Sequence, residues 1–337
     1  MPHIARQRRE PRLQAVHQDS GRAAVNGEGG RSHTLVVADG TRLAVREVGS
    51  RTAPLTVIFV HGFCLHAGAW EPQQRYVSRK WSGRARLVFF DHRGHGGSGG
   101  ADAGTYTISQ LGRDVEEIIR VVAPTGPVVL VGHSMGGMAV LSYLAQHADS
   151  TSRVVGVGLI STALSNVAGA GIGRALNTPA VSLLGGACAH APRLVGRSWS
   201  LSRRLLTPVI GATCPMAPSS GLRAAATSYE MVHATPIATV AAFLRDLRLY
   251  DASAAVGALG RIPVSIMCGT RDRVTPILHS QQLAALLPNA ELVAVAGGRH
   301  MVGLEQPQVV GEALDRLLVR AQTYHREHSP TTDLVGA

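Results

Sequence analysis

Residues 127–147 read PVVLVGHSMGGMAVLSYLAQH, and the fold prediction starts from this stretch. Its opening run, Pro127–Val131, is almost entirely apolar, which is typical of a strand buried on both faces of a parallel sheet. Its closing part, Gly136–His147, has the apolar periodicity of a helix. Gly-x-Ser-x-Gly between a strand and a helix puts the serine on a turn so sharp that the flanking positions must be small. The stretch therefore predicts that Ser134 is a nucleophile.

The same pattern occurs a second time, as Gly-Gly-Ser-Gly-Gly at residues 96–100. A short motif of this kind also arises by chance in a glycine-rich chain, so its context must decide. Ser98 stands well past the end of its strand, Arg86–Phe90, and precedes Ala-Asp-Ala-Gly, which has no helical periodicity. We therefore interpret Ser98 as part of a flexible loop and assign the nucleophile to Ser134.

Short apolar runs alternate with amphipathic stretches along most of the chain. Strand, helix, strand, helix predicts an α/β fold with a mostly parallel sheet flanked by helices. The predicted strands are Thr34–Ala38, Arg42–Val48, Thr56–Val60, Arg86–Phe90, Pro127–Val131, Val154–Ile160, Ile262–Cys268 and Ala290–Val295. The predicted helices include Ile108–Val122, Gly136–His147, His279–Leu287 and Pro307–Gln322.

Three segments depart from this alternation. Residues 162–257 contain Ala- and Leu-rich helical patterns broken by prolines, and they predict an insertion of short helices. Residues 1–32 are polar and aperiodic, so we expect a flexible N-terminal tail, and residues 326–337 are expected to form a C-terminal tail. The α/β core is then expected to comprise residues 33–161 and 258–325.

A nucleophilic serine needs a base that is oriented by an acid. In open parallel sheets the site lies at the carboxyl ends of the strands, where Asp272 follows Ile262–Cys268 and His300 follows Ala290–Val295. The order Ser, Asp, His is that of one known arrangement of this triad. Two alternatives stay open, namely that Asp272 caps a helix and that the base is another histidine, His61, His92, His95 or His133.

Backbone amides are the expected donors to the oxyanion that forms on attack. The strand Thr56–Val60 runs into His-Gly-Phe, where Gly62 allows the chain to pass close to the nucleophile. We expect the amides of Phe63 and Met135 to be the pair of donors, and His61 to have a structural role.

Composition limits the class of protein. Hydrophobic residues make up 45% of the 337 residues, enough for a large core, and no apolar run is long enough to span a membrane. The net charge is +11, but the basic residues are scattered, so nucleic-acid binding is not expected. The spacing of the four cysteines matches neither a disulfide framework nor a metal motif, and whether Cys188 and Cys214 pair stays open. Without a secretory signal, the expected location is cytoplasmic.

Five motifs in order resemble the α/β-hydrolase family, in its serine hydrolase branch. They are HGF with a following Trp at 61–70, DHRGHGGS at 91–98, GHSMGG at 132–137, GTRDRVTP at 269–276 and GGRH at 297–300. GHSMGG is similar to that of monoacylglycerol-lipase-like and lysophospholipase-like esterases. The resemblance implies an eight-stranded, mostly parallel sheet with an inserted helical cap, or lid, over the active site. We identify that cap with residues 162–257.

The resemblance and the residues together predict cleavage of a carboxylic ester through an acyl-enzyme, with no cofactor and no metal. The expected substrate is a small molecule with an apolar acyl group of undetermined length, because the insertion is rich in Ala, Leu, Val and Ile. Ser134 argues against the family members that use an aspartate nucleophile. Perhydrolases, thioesterases, lactonases and carbon–carbon bond hydrolases stay open, as do a non-catalytic ligand-binding role and peripheral lipid contact. The sequence makes no prediction of oligomeric state.

Overall fold

The structure is a computed structural model that describes residues 10–15, 30–147, 151–190 and 221–329. Within these ranges one sheet contains nine strands. They are β1 (Arg12–Ala15), β2 (Arg31–Val36), β3 (Arg42–Val48), β4 (Thr56–Val60), β5 (Arg86–Phe90), β6 (Val128–His133), β7 (Val154–Ile160), β8 (Val264–Gly269) and β9 (Ala290–Val295).

The strands follow the order β1-β2-β3-β5-β4-β6-β7-β8-β9. Five neighbouring pairs, from β5 with β4 through β8 with β9, are parallel, and the three pairs at the other edge are antiparallel. The central strands are buried along their whole length because helices cover both faces of the sheet. The predicted mostly parallel sheet flanked by helices is therefore confirmed.

The sheet has one strand more than the eight that the sequence predicted. Residues 12–15, which were assigned to a flexible tail, pair antiparallel with β2, and β2 itself begins within the assigned tail at Arg31. Leu13 of this edge strand packs against the core. Four residues are too few to show a periodic pattern, which is why the sequence did not indicate this strand.

The described residues form ten α-helices, joined by five short 3₁₀ helices. The α-helices are α1 (Glu71–Lys80), α2 (Ile108–Val122), α3 (Met135–Gln146), α4 (Pro179–His190), α5 (Gly221–Ala234), α6 (Ile237–Leu247), α7 (Val256–Leu259), α8 (Ile277–Ala285), α9 (Val302–Glu305) and α10 (Pro307–His328). The 3₁₀ helices are Ala67–Trp70, Ala103–Thr105, Val167–Gly169, Gly171–Asn177 and Ser253–Ala255.

Two apolar cores lie on opposite faces of the sheet, because successive side chains of a strand point to opposite sides. In β4, Ile58 and Val60 belong to the core beneath α2, α3 and α8, whereas Val57 and Phe59 belong to the core beneath α1 and α10. Apolar residues at helical spacing on one side of α2 and α10 complete the two layers.

The inserted segment leaves and rejoins the core at one point. The amide of Ala252 donates to the carbonyl oxygen of Leu164 over 3.0 Å, and Ser165 pairs with Asp251 in an isolated antiparallel bridge. Between these ends the structure describes α4, α5 and α6, while residues 191–220, which include Cys214, lie outside the described residues. The insertion therefore begins and ends close together, shortly after the carboxyl end of β7.

The C-terminal boundary also differs slightly from the predicted one. Helix α10 continues to His328, three residues into the segment that was expected to be a tail, and residues 330–337 lie outside the described residues. Across the ranges that the structure describes, no helix is both long enough and apolar enough to cross a membrane.

Candidate active site

Ser134 stands at the sharp turn between β6 and α3. Its backbone angles, φ 51° and ψ −121°, lie outside the regions that residues other than glycine normally adopt. A Cβ at Gly132 would lie 2.6 Å from the carbonyl oxygen of Gly136, and one at Gly136 would lie 2.1 Å from that of Val60. The tight turn therefore requires glycine at both positions, and it holds the serine hydroxyl at the carboxyl edge of the sheet.

Two bonds fix the backbone of this strained residue. The amide of Ser134 donates to the carbonyl oxygen of Ile160 over 2.9 Å, and the hydroxyl of Thr162 donates to the carbonyl oxygen of Ser134 over 2.8 Å. Ile160 is the last residue of the neighbouring strand β7, and Thr162 lies in the loop that follows it. These two hydrogen bonds therefore hold Ser134 in its strained backbone conformation.

The structure brings the three residues of the predicted triad together. His300 Nε2 lies 3.0 Å from Ser134 Oγ, and His300 Nδ1 lies 2.9 Å from Asp272 Oδ2. Because an ionised carboxylate only accepts hydrogen bonds, Nδ1 carries the ring proton and Nε2 is left to accept the proton of the serine hydroxyl. All three residues are buried, with no more than 8% of their surface exposed. The arrangement can therefore transfer a proton from the serine to the imidazole.

Asp272 is held by donors from its own loop. Its Oδ1 accepts the amides of Val274 and Thr275 over 2.8 and 3.0 Å, and the Thr275 hydroxyl lies 3.0 Å from its Oδ2. Burial opposes the charge of this carboxylate, but His300 and the two amides hold its pKa below the usual value. The alternative that Asp272 only caps a helix does not describe this geometry, because Oδ2 faces the histidine.

Ser98 has a different environment from Ser134. Its hydroxyl donates to the carbonyl oxygen of Asp91 over 2.6 Å and accepts the amide of Ala44 over 2.9 Å. The first bond holds the loop after β5 in its own conformation, and the second ties that loop to strand β3. Ser98 therefore has a structural role in an ordered loop, whereas the sequence had suggested a flexible one.

The residues expected to supply the oxyanion donors lie beside Ser134. Met135 begins α3, and the amide of a first helical residue has no acceptor within its own helix. A Cβ at Gly62 would lie 3.2 Å from Cβ of Ser134, so the chain that leads into Phe63 passes against Ser134. Glycine at position 62 is what permits this approach.

The four rival histidines make other contacts. His133 donates from Nε2 to the carbonyl oxygen of His300 over 2.9 Å, and the rings of His61, His92 and His95 bond to backbone atoms of the loops after β4 and β5. Burial lowers the pKa of His61, His95 and His133 to about 3 and that of His92 well below its usual value. These four rings are buried, neutral and bonded to backbone atoms, so we assign them a structural role in their loops.

Apolar side chains of the insertion pack against the loops around the nucleophile. Met231 of α5 clusters with Leu65 and Met301, the residue after His300, and Ile237 of α6 clusters with Phe63. The insertion therefore supplies an apolar wall near the triad. The sequence had not indicated which of its residues do so, because these contacts join distant segments.

Three supporting residues were not predicted from the sequence, namely Thr162, Thr275 and the bonding role of His133. Thr275 belongs to the motif GTRDRVTP and His133 to GHSMGG, so both residues stand in motifs that marked the site. Thr162 and His133 bond to residues of other loops, and the Thr275 hydroxyl also lies 2.8 Å from the carbonyl oxygen of Ser161. No local spacing reports these contacts. Among the described residues, no group of three His, Cys, Asp or Glu side chains could hold a metal ion.

Comparison with known proteins relates the chain to hydrolases. A monoacylglycerol lipase of Mycolicibacterium smegmatis is 31% identical over 128 residues, which are 36% of this chain and 44% of the lipase. A putative carbamate hydrolase of Caulobacter segnis is 27% identical over 274 residues, which are 78% of this chain and 90% of that protein. The match with the lipase thus spans less than half of its length.

Solved structures and a family profile agree on the fold. A putative aryl esterase from Burkholderia cenocepacia superposes with a TM-score of 0.67 at 22% identity, over 87% of this chain and 100% of that chain. The family described as alpha/beta hydrolase fold matches residues 56–307, from β4 to the first residue of α10. This match covers most of the chain and includes Ser134, Asp272 and His300. The chain therefore belongs to the α/β-hydrolase family.

Proposed function

We propose that this protein hydrolyses carboxylic esters through an acyl-enzyme on Ser134. One observation carries the proposal, a hydrogen-bond network that joins the three side chains. Ser134 Oγ lies 3.0 Å from His300 Nε2, and His300 Nδ1 lies 2.9 Å from Asp272 Oδ2. A serine hydroxyl is a weak nucleophile at neutral pH, and this network supplies the base and the acid that it needs.

In the first half of the reaction, Ser134 attacks the ester carbonyl while His300 Nε2 takes the hydroxyl proton. Asp272 keeps the imidazole in the required tautomer and stabilises its positive charge. The amides of Met135 and Phe63 donate to the oxyanion of the tetrahedral intermediate. Collapse of this intermediate releases the alcohol, which takes its proton from His300.

In the second half, water replaces the alcohol. His300 accepts a proton from the water molecule as that water attacks the acyl-enzyme, and the second tetrahedral intermediate collapses to the free acid and Ser134. Every proton passes through His300 Nε2, and none of these steps calls on a metal or an organic cofactor.

We further propose that the substrate is a small molecule with an apolar acyl group. The apolar side chains of Leu65, Met231 and Met301 beside the triad favour such a group. Burial of a methylene contributes about 0.8 kcal/mol, so binding by this wall should increase with acyl length until the site is full.

The experiment combines activity with covalent labelling. The protein should hydrolyse p-nitrophenyl esters, with kcat/KM rising severalfold for each pair of added methylenes and then levelling off. A fluorophosphonate probe should label the wild type and Ser98→Ala but not Ser134→Ala. Labelling that survives Ser134→Ala would contradict the assignment of the nucleophile.

A second set of substrates decides the bond type. A thioester, a lactone and a carbamate should be assayed beside the esters, the carbamate because one relative is called a putative carbamate hydrolase. Ester hydrolysis should have the highest kcat/KM. A carbamate or lactone that is turned over faster than every ester, by the same Ser134, would keep the mechanism and replace the substrate class.

A further inference from the structure

Three buried histidine rings lie together at the oxyanion loop, which we define as residues 61–64 and which includes His61. His61 comes from the loop after β4, whereas His92 and His95 come from the loop after β5. Their ring centroids are 4.5 Å apart for His61 and His92 and 5.5 Å apart for His61 and His95. The proposed mechanism uses none of these rings, and each is at most 1% exposed.

Two of the rings hold the first peptide units of the oxyanion loop. His92 donates from Nε2 to the carbonyl oxygen of His61 over 3.0 Å, and the amide of His92 donates to His61 Nε2 over 2.9 Å. His61 Nδ1 donates to the carbonyl oxygen of Gly62 over 2.8 Å. That carbonyl and the amide of Phe63 belong to one planar trans peptide, so fixing the oxygen also fixes the direction of the Phe63 N–H.

The third ring, His95, holds the next peptide unit. Its Nε2 accepts the amide of Cys64 over 3.2 Å, and its Nδ1 donates to the carbonyl oxygen of Arg93 over 3.0 Å. Cys64 has φ 58°, in the left-handed region that residues other than glycine rarely adopt. A strained residue directly after Phe63 needs an external partner to keep its conformation, and the ring of His95 is that partner.

Packing with the insertion holds the ring of His95 in place. Phe243 of α6 is fully buried, and its ring lies 5.8 Å from that of His95 and 6.2 Å from that of Phe63. The ring of Phe63 in turn lies 6.2 Å from that of His95. These three rings join the insertion, the loop after β5 and the oxyanion loop in one contact group.

We propose that His95 is a positioning residue that aims the amide of Phe63 at the oxyanion by holding Cys64 in its left-handed conformation. The inference rests on the proposed function, because the oxyanion donor matters only if Ser134 attacks an acyl group. His95 touches neither the substrate nor the triad, and it acts through the backbone of the oxyanion loop alone.

A matched pair of variants separates the two bonds of the ring. His95→Gln keeps an acceptor near the position of Nε2 and loses the donor at Nδ1, whereas His95→Asn keeps a donor near Nδ1 and loses the acceptor. Loss of a whole oxyanion donor lowers kcat by about 100- to 1000-fold, so misdirecting one should cost about 10- to 100-fold. We expect that loss in kcat for His95→Asn, with KM within about twofold, and a much smaller loss for His95→Gln.

A transition-state analogue provides the readout that a merely structural role would not move. The affinity of a trifluoromethyl ketone, which forms an oxyanion on Ser134, should weaken in His95→Asn by the same factor as kcat. Ser98→Ala is the control, because Ser98 ties the same loop to β3 instead of to the oxyanion loop. It should lower the melting temperature and leave kcat unchanged.

Equal kcat values for His95→Asn and the wild type would overturn the proposal, and so would equal losses in His95→Asn and His95→Gln. A measurement on the wild type covers the case in which a variant does not fold. The amide hydrogen of Cys64 should exchange slowly with solvent, and rapid exchange would show that His95 does not hold it. Failure of the proposed function would look different, because the wild type itself would then hydrolyse no acyl substrate.

Discussion

His133 donates its Nε2–H to the carbonyl oxygen of His300 over 2.9 Å, although the two residues are 167 positions apart in the chain. Their ring centroids are 5.0 Å apart. Burial lowers the pKa of His133 to about 3, so its ring is neutral and its single N–H is committed to this bond. The residue before Ser134 thus supports the loop that carries His300.

Replacing His133 should impair the base without removing it. In His133→Leu the carbonyl oxygen of His300 loses its donor, which should lower the free energy of unfolding by about 1–3 kcal/mol. Because His300 is then less well oriented toward Ser134, we expect kcat to fall about tenfold. Ester hydrolysis and urea unfolding measure the two effects.

His133→Gln is the matched variant, because its amide can donate from nearly the same position as Nε2. It should keep most of the activity. If the leucine variant retains the kcat of the wild type, the bond to His300 has no part in positioning the base.

Asp272→Asn should retain the fold and lose most of the activity. The amide side chain can still accept a hydrogen bond, but it also offers a donor to His300 and favours the wrong ring tautomer. We expect kcat to fall by about 10³- to 10⁴-fold, with a circular dichroism spectrum like that of the wild type.

Thr275→Val gives a graded comparison, since the hydroxyl lies 3.0 Å from Asp272 Oδ2 and 2.8 Å from the carbonyl oxygen of Ser161. Its loss should cost about 1–3 kcal/mol of stability and only a modest part of kcat.

Near-normal activity of Asp272→Asn would mean that another carboxylate orients His300.

The protein should lose stability steeply as the pH falls below about 6.5. Burial keeps four histidines neutral in the folded state, with the pKa of His61, His95 and His133 lowered to about 3 and that of His92 lowered well below its usual value. Unfolding exposes these rings, which then bind protons below pH 6.5. The unfolded state therefore binds more protons from pH 6.5 down to about 3, and stability falls through this window.

Each proton changes the free energy of unfolding by about 1.4 kcal/mol per pH unit, so four give a slope of about 5.5 kcal/mol per unit. Glu117 opposes this slope, because burial raises its pKa to about 7 and a protonated carboxyl is favoured as the pH falls. Urea unfolding at a series of pH values measures the slope. The variant His133→Gln has one such ring fewer and should lower it by about 1.4 kcal/mol per unit, and an unchanged slope would contradict the explanation.

A fully buried ion pair should dominate the stability of the loop after β5. Arg93 donates to both carboxylate oxygens of Asp114, over 2.7 and 2.6 Å, and both side chains are fully buried. Asp114→Ala leaves the guanidinium with Asp39 alone, so we expect a loss of about 3–5 kcal/mol in the free energy of unfolding.

The exposed pair of Arg75 and Glu71 is the control, because both side chains are 59% exposed. Glu71→Gln should change stability by less than about 1 kcal/mol. In a double variant, Arg93→Met with Asp114→Leu should cost less than Asp114→Ala alone, since no buried charge is left unpaired. Equal losses in Asp114→Ala and Glu71→Gln would rule out this account.

The elements of the core could be predicted because their patterns are local. Thr56–Val60 and Val154–Ile160 have the predicted bounds, since a strand buried on both faces must be apolar along its whole length. The turn at Ser134 was equally visible, because only glycines two positions before and after it leave room for the neighbouring backbone.

Other features had no local pattern to report them. The edge strand Arg12–Ala15 is too short for a periodicity, and its place depends on pairing with β2. The bond between His133 and His300 joins two loops, so neither loop alone indicates it.

By itself the sequence determined where the chain forms strands and helices and where it turns sharply, because steric limits on the backbone and the burial of apolar faces act over a few residues. Only the tertiary structure decided which side chains meet. His95 supports Cys64, and Thr162 supports Ser134, through hydrogen bonds that form once the sheet has brought their loops to one edge. A hydrogen bond depends on distance and direction in space, and neither has a counterpart in spacing along the chain.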